Sequence, residues 1–97
     1  MKQSSYQRFF RALANDTRLR ILHFLGENGT KCVREIVEGT GLRQSTVSVN
    51  LRHLLECRFV HLERMGKEHC YSLNVETIRP LLRLMDQHVR RHCAACF

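Results

Sequence analysis

The sequence predicts a mainly α-helical winged helix-turn-helix, ordered α-α-α-α-β-β-α and paired as a homodimer. Three observations lead there. Four short helical periods precede the first apolar/polar alternation. Two of those helices are separated only by a tight turn bearing glycine. The alternating segments follow the second of that pair directly, and helical spacing then returns.

Taken in order, Phe9, Phe10 and Leu13 mark a first helix from about Ser5 to Ala14. Asn15-Asp16-Thr17 offers capping side chains before Leu19, Ile21, Leu22 and Leu25, a second helix ending around Gly26 to Gly29. Val33, Ile36 and Val37 fall at helical spacing in a third, which stops at Gly39-Thr40-Gly41. The fourth runs from Gln44 to Cys57, with Val47, Leu51, Leu54 and Leu55 on its buried face. Val60 to Arg64 and His69 to Leu73 alternate around the turn residues Met65-Gly66-Lys67-Glu68, as a β-hairpin does. Asn74 to Cys96 is helical again, with Ile78, Leu81, Leu82, Met85 and Val89 on one side. Proline is tolerated only in a helix's first turn, so Pro80 sets the start near Glu76 or Thr77.

Residues 1–97 are expected to form one domain. A chain this short has a small stability margin. Phe9, Phe10, Leu13, Leu81, Leu82, Met85 and Val89 supply more apolar surface than so small a core covers, so a dimer is expected. Sixteen Lys and Arg against nine Asp and Glu give a charge of +7, a field suited to nucleic acid. The first residues lack a secretory apolar core, and no stretch is long enough to span a bilayer. No membrane partner is expected. Five cysteines, an odd count without an export signal, are read as reduced thiols in the cytoplasm rather than a disulfide framework.

The second helix of the pair is suited to the major groove of double-stranded DNA. Off its core face lie Gln44, Ser45, Thr46, Ser48, Val49 and Arg52, short hydrogen-bonding groups beside a long cation. No acidic side chain, which phosphate would repel, appears there before Glu56. Arg43 precedes the helix, and Arg64 and Lys67 near the hairpin tip are placed for a neighbouring phosphate. An ordinary protein-interaction module would more often carry Glu or exposed apolar residues on this helix. No nucleophile–base pair or phosphate loop suggests an enzyme.

The chain resembles the ArsR/SmtB metalloregulatory repressors. The resemblance rests on Ala14-Asn15-Asp16-Thr17-Arg18-Leu19-Arg20-Ile21-Leu22, on Gly41-Leu42-Arg43-Gln44-Ser45-Thr46-Val47-Ser48, on Leu51 with Leu54, and on Gly66 through Tyr71-Ser72-Leu73. It implies a homodimer paired through the first and last helices, which binds an inverted-repeat operator and releases it when an inducer binds. Three positions depart from the family pattern. Arg43 stands at a usual capping Ser, Asn50 at a frequent His, and Cys57-Arg58 at a usual Ala-Gly.

The last helix ends in Cys93-Ala94-Ala95-Cys96, beside His92. Thiolates so spaced favour Zn(II), Cd(II), Pb(II), Cu(I) or As(III) over hard cations, with Cys32 or Cys57 as candidates to complete the site. By the resemblance, Cys32 holds the first position of a Cys-Val-Cys motif whose second thiol is Arg34 here. Cys57 holds a position completed in a cadmium/lead-sensing branch by the partner's C-terminal Cys. The zinc site some relatives build between paired last helices is not expected, since Val75, Thr77 and Arg91 occupy three of its four positions. Cys70 reads as structural. A thiol-redox trigger, through Cys93 and Cys96 or one of them with Cys32, is the alternative to a metal inducer.

Overall fold

A computed structural model describes residues 3–93. Its elements are α1 (Gln3–Leu13), α2 (Asp16–Asn28), β1 (Lys31–Cys32), α3 (Val33–Thr40), α4 (Gln44–Glu56), β2 (Val60–Met65), β3 (Glu68–Leu73) and α5 (Ile78–His88), followed by a π-helical turn (Val89–Cys93). The predicted order is present, with one added strand.

Local chemistry sets most of the boundaries. Asn15 caps α2 by accepting the Arg18 N–H on its side-chain oxygen at 3.0 Å. Gly41 closes α3 in the left-handed region at φ 75°, and its N–H returns to the Val37 carbonyl. α3 runs through Gly39 rather than stopping there. A Cβ on Gly39 would overlap the ring of Phe24 on α2, so the missing side chain is what lets the two helices approach. In the hairpin, Met65 pairs with Glu68, leaving Gly66-Lys67 as a two-residue loop with Gly66 at φ 67°. A II′ turn requires glycine at that first position.

The core lies between the helices and the sheet. Ile21, Leu22 and Leu25 of α2, Ile36 of α3, and Val47, Leu51 and Leu54 of α4 are fully buried together, closed by Phe59, Val60 and Leu73. The apolar faces of α2 and α4 are those read from the sequence. Two residues expected on the dimer surface are not there: Leu13 and Leu82 are buried in the chain's own core. Phe10 and Val89 of the expected set are exposed, and Tyr6 and Leu84 are exposed with them.

The added strand reorganises the cysteines. β1 pairs antiparallel with β3, giving the sheet order β1-β3-β2 and setting Cys32 opposite Cys70. A disulfide joins them across 38 residues of sequence. The expectation of uniformly reduced thiols is corrected here. A two-residue strand has no period to read, so nothing in the sequence announced the pairing.

Candidate nucleic-acid interface

α3 and α4 are joined by the short turn Gly41-Leu42-Arg43, and α4 turns Val47, Leu51 and Leu54 into the core. That orientation leaves the other face outward. Gln44, Ser45, Val49 and Arg52 are exposed, and Thr46 and Ser48 are half-buried at its margins. Arg43 occupies the N-cap position without a side-chain cap bond, and no acidic residue lies in the first turn. The first N–H groups of α4 thus lack a side-chain cap and stand beside the Arg43 guanidinium, an arrangement that attracts an anion. Arg64 and Lys67 are exposed on the hairpin, where every residue from His61 to His69 is exposed.

Side chains to which the sequence reading gave no structural role hold this face in place. Arg18 Nε donates to Asn50 Oδ1 at 3.1 Å, and Arg18 also reaches the Arg11 and Ala12 carbonyls. Asn50 Nδ2 donates in turn to the Thr46 carbonyl at 2.8 Å. Arg20 donates to the Thr40 carbonyl, fixing α2 to the end of α3 just before the turn. Arg18 and Arg20 lie in the motif that carried the resemblance, but which partners they take depends on packing 20 to 32 residues away.

The turn into the wing differs in kind from glycine-based versions. Arg58 adopts φ 62°, a left-handed conformation costly for a side chain. The Asn74 side chain donates to its carbonyl at 2.9 Å.

The thiols fall in separate places. Cys57 ends α4 and is exposed, beside a hollow lined also by Arg8, Phe9 and Phe59. Cys93 is half-buried at the end of the π turn, and Cys96 lies outside the described residues. Among the described residues, neither Cys57 nor Cys93 joins two further His, Cys, Asp or Glu ligands within one chain. Cys32 stands at the N-terminus of α3, where its N–H donates to Glu35 Oε1 at 3.0 Å. That bond holds the Glu35 carboxyl below the ordinary glutamate range, helped by Lys31 and Arg34 and opposed by burial. His23 on α2 meets Asp86 on α5 at 3.3 Å.

A helix-turn-helix whose second helix has an exposed outer face with no acidic residue in its first turn, followed by a hairpin that carries Arg64 and Lys67 outward, defines the chain as a winged helix-turn-helix regulator. Residues 15–61 match the family model described as bacterial regulatory protein, arsR family. The chain is 42% identical over 77 residues to a probable mercury resistance operon repressor of Streptomyces lividans, covering 79% of this chain and 61% of that one. It is 35% identical over 77 residues to the arsenical resistance operon repressor of Bacillus subtilis, covering 79% and 73%. Among solved structures, the homodimeric winged helix-turn-helix DNA-binding domain from Mycobacterium bovis aligns with a TM-score of 0.84 at 31% identity. That alignment covers 93% of this chain and 82% of that one. The chain belongs to the arsR family of bacterial regulatory proteins, a family of transcriptional regulators and not of enzymes. No helix among the described residues is long and apolar enough to cross a membrane.

Proposed function

We propose that the protein is a cytoplasmic homodimeric repressor that holds an inverted-repeat operator and releases it when a thiophilic metal or metalloid binds. The observation that carries the DNA half is the outward face of α4. Its polar and cationic side chains stand clear of the core, with no carboxylate in the first turn. Base edges are read by Gln44, Ser45, Thr46, Ser48 and Val49, while Arg43, Arg52, Arg64 and Lys67 take phosphates.

The inducer half is supported by relatives named for mercury, arsenical and cadmium resistance. As(III), Cd(II), Pb(II) and Zn(II) are the ions that soft thiolate ligands favour. Cys93 and Cys96 are the candidate ligands at the C-terminus, with Cys57 of the partner subunit to complete them. Cys32 is tied to Cys70 and belongs to a separate site. Metal and DNA favour different dimer geometries, so each weakens the other by the same factor.

The test is an anaerobic titration of reduced protein bound to an operator duplex selected from a random pool. Cd(II), Pb(II) and As(III) are added while thiolate absorption and DNA release are read together. Release that tracks metal uptake supports the proposal, and uptake without release overturns it. The Cys32–Cys70 disulfide favours one second reading, in which a thiol oxidant rather than a metal is the trigger. DNA release by peroxide under metal-free conditions would select that reading.

A further inference from the structure

Cys32, Cys70 and Glu68 bring two sulfurs and a carboxylate oxygen within 4.8 Å of one another, a group outside both the reading face and the C-terminal thiols. We infer that, once reduced, this trio is a binding site for a thiophilic divalent cation, separate from the C-terminal cysteines and built between α3 and the wing. It deepens the inducer reading above by supplying a site for the ion.

The fold assembles the trio from three local facts. Antiparallel register sets Cys32 of β1 opposite Cys70 of β3. The two-residue period of a strand puts Glu68 on the same face as Cys70. Cys32 immediately precedes α3, whose N-terminal N–H groups favour a thiolate over a thiol. In the oxidised form the two sulfurs are bonded to each other. Once that bond opens, the opposed Cys32 and Cys70 and the nearby Glu68 supply three donors to one ion, with metal–sulfur bonds of about 2.3 Å. Both cysteines are buried while Glu68 is exposed, so the sulfurs are shielded and the carboxylate marks the open side. Arg34 stands 3.5 Å from Glu68 and neutralises it in the metal-free state, the place a cation would take over.

Soft sulfur donors select Hg(II), Cd(II) or Pb(II) over Mg(II) or Ca(II). The disulfide and the metal-bound form exclude each other. Two equivalents of a low-molecular-weight thiol supply two electrons and two protons. They leave as their own disulfide, and the Cys32–Cys70 bond opens to two thiols. A divalent cation then displaces both protons and forms two metal–sulfur bonds. Redox state thus gates metal uptake.

The experiment uses a full-length chain carrying Cys57→Ser, Cys93→Ser and Cys96→Ser, so that only Cys32 and Cys70 remain. It is reduced, freed of reductant without oxygen, and titrated with Cd(II) in the absence of DNA. The expected result is a sulfur-to-cadmium absorption band saturating at one ion per chain, with both thiols protected from alkylation. Glu68→Gln should weaken Cd(II) binding about tenfold or more, the scale at which ligand-shell changes act. Oxidation with peroxide should abolish the band. So that the reading does not rest on the three-serine chain alone, thiol protection is also read by mass spectrometry in the wild-type chain. Absence of the band in the folded three-serine chain overturns the inference, as does labelling of Cys32 and Cys70 that Cd(II) does not slow. Neither outcome touches the operator-release proposal, which is read on DNA.

Discussion

Arg18 and Asn50 form the bridge that sets the reading helix against the core: the guanidinium of α2 donates to the amide oxygen of α4 at 3.1 Å, across 32 residues. The same guanidinium caps the end of α1 through the Arg11 and Ala12 carbonyls. One cation thus registers three helices.

Removing it should therefore cost more than one ordinary surface contact. A hydrogen bond to a charged group contributes about 1.5–3 kcal/mol. Because this one is only partly buried, Asn50→Ala is expected to lose roughly 1 kcal/mol and Arg18→Ala about 2 kcal/mol. Urea unfolding of both single variants and the double variant gives the coupling. Strictly additive losses would show that the two side chains do not act together.

Glu35 gives a pH-dependent prediction. The Cys32 N–H holds its carboxyl below the ordinary range, so the charged form is favoured in the folded state. Its stabilisation is fully present above the ordinary glutamate pKa of about 4.3 and is lost as the pH falls through the lower folded value. Glu35→Gln should lower the Tm at neutral pH, and the difference should shrink on acidification below about pH 4. A difference in Tm that stays constant with pH would sink the assignment.

Gly39 faces Phe24 with no room for a side chain. Alanine in a helix normally gains about 1 kcal/mol over glycine, while overpacking costs about 1–3 kcal/mol. Gly39→Ala should lose roughly 1 kcal/mol net, and in a Phe24→Leu background it should become neutral or stabilising. Equal losses in both backgrounds would mean that the Phe24 ring is not what excludes the methyl group.

Contrasts among particular residues show what could be read from sequence. The buried stripe Val47, Leu51 and Leu54 repeats at helical spacing, and Gly66 marks a hairpin by its backbone alone, so both were legible. The hairpin's place directly after α4 and the short polar face from Gln44 to Arg52 were legible too, and family resemblance added the operator, the paired first and last helices and the inducer. β1 was not legible, because Lys31-Cys32 is too short to show a period, and the Cys32–Cys70 pairing depends on that strand. The partners of Arg18 and Arg20 were hidden for a related reason: a charged side chain looks alike in sequence whether it faces water or a helix end. Leu13 and Leu82 were assigned to the dimer surface because apolar residues do not declare which core they enter.

DNA affinity should fall steeply with salt. The chain carries +7, with Arg43, Arg52, Arg64 and Lys67 exposed on one reading unit. If a dimer neutralises about 6–10 phosphates, binding should weaken roughly 10³–10⁵-fold between about 50 and 200 mM salt. Lys67→Ala should reduce the slope of log K against log salt by about one phosphate contact per wing, without changing sequence preference. A flat salt response measured by fluorescence anisotropy would remove the DNA reading.

Dimerisation is the last and most structural of these expectations. Phe10 is 61% exposed and Leu84 63% exposed, on α1 and α5, with Tyr6 also on α1 and Val89 in the π-helical turn that continues α5. Large apolar side chains rarely gather in the open on a monomer. A second copy, as in the homodimeric relative from Mycobacterium bovis, is the partner that would cover them. Sedimentation should show a dimer at micromolar concentration, and Phe10→Glu with Leu84→Glu should yield a folded monomer. Both side chains lie outside the buried core, so helical circular dichroism should be unchanged while the dimer is lost. Operator affinity should fall with it, because one reading helix contacts only one half-site. A double variant that still sediments as a dimer would place the interface elsewhere on the chain.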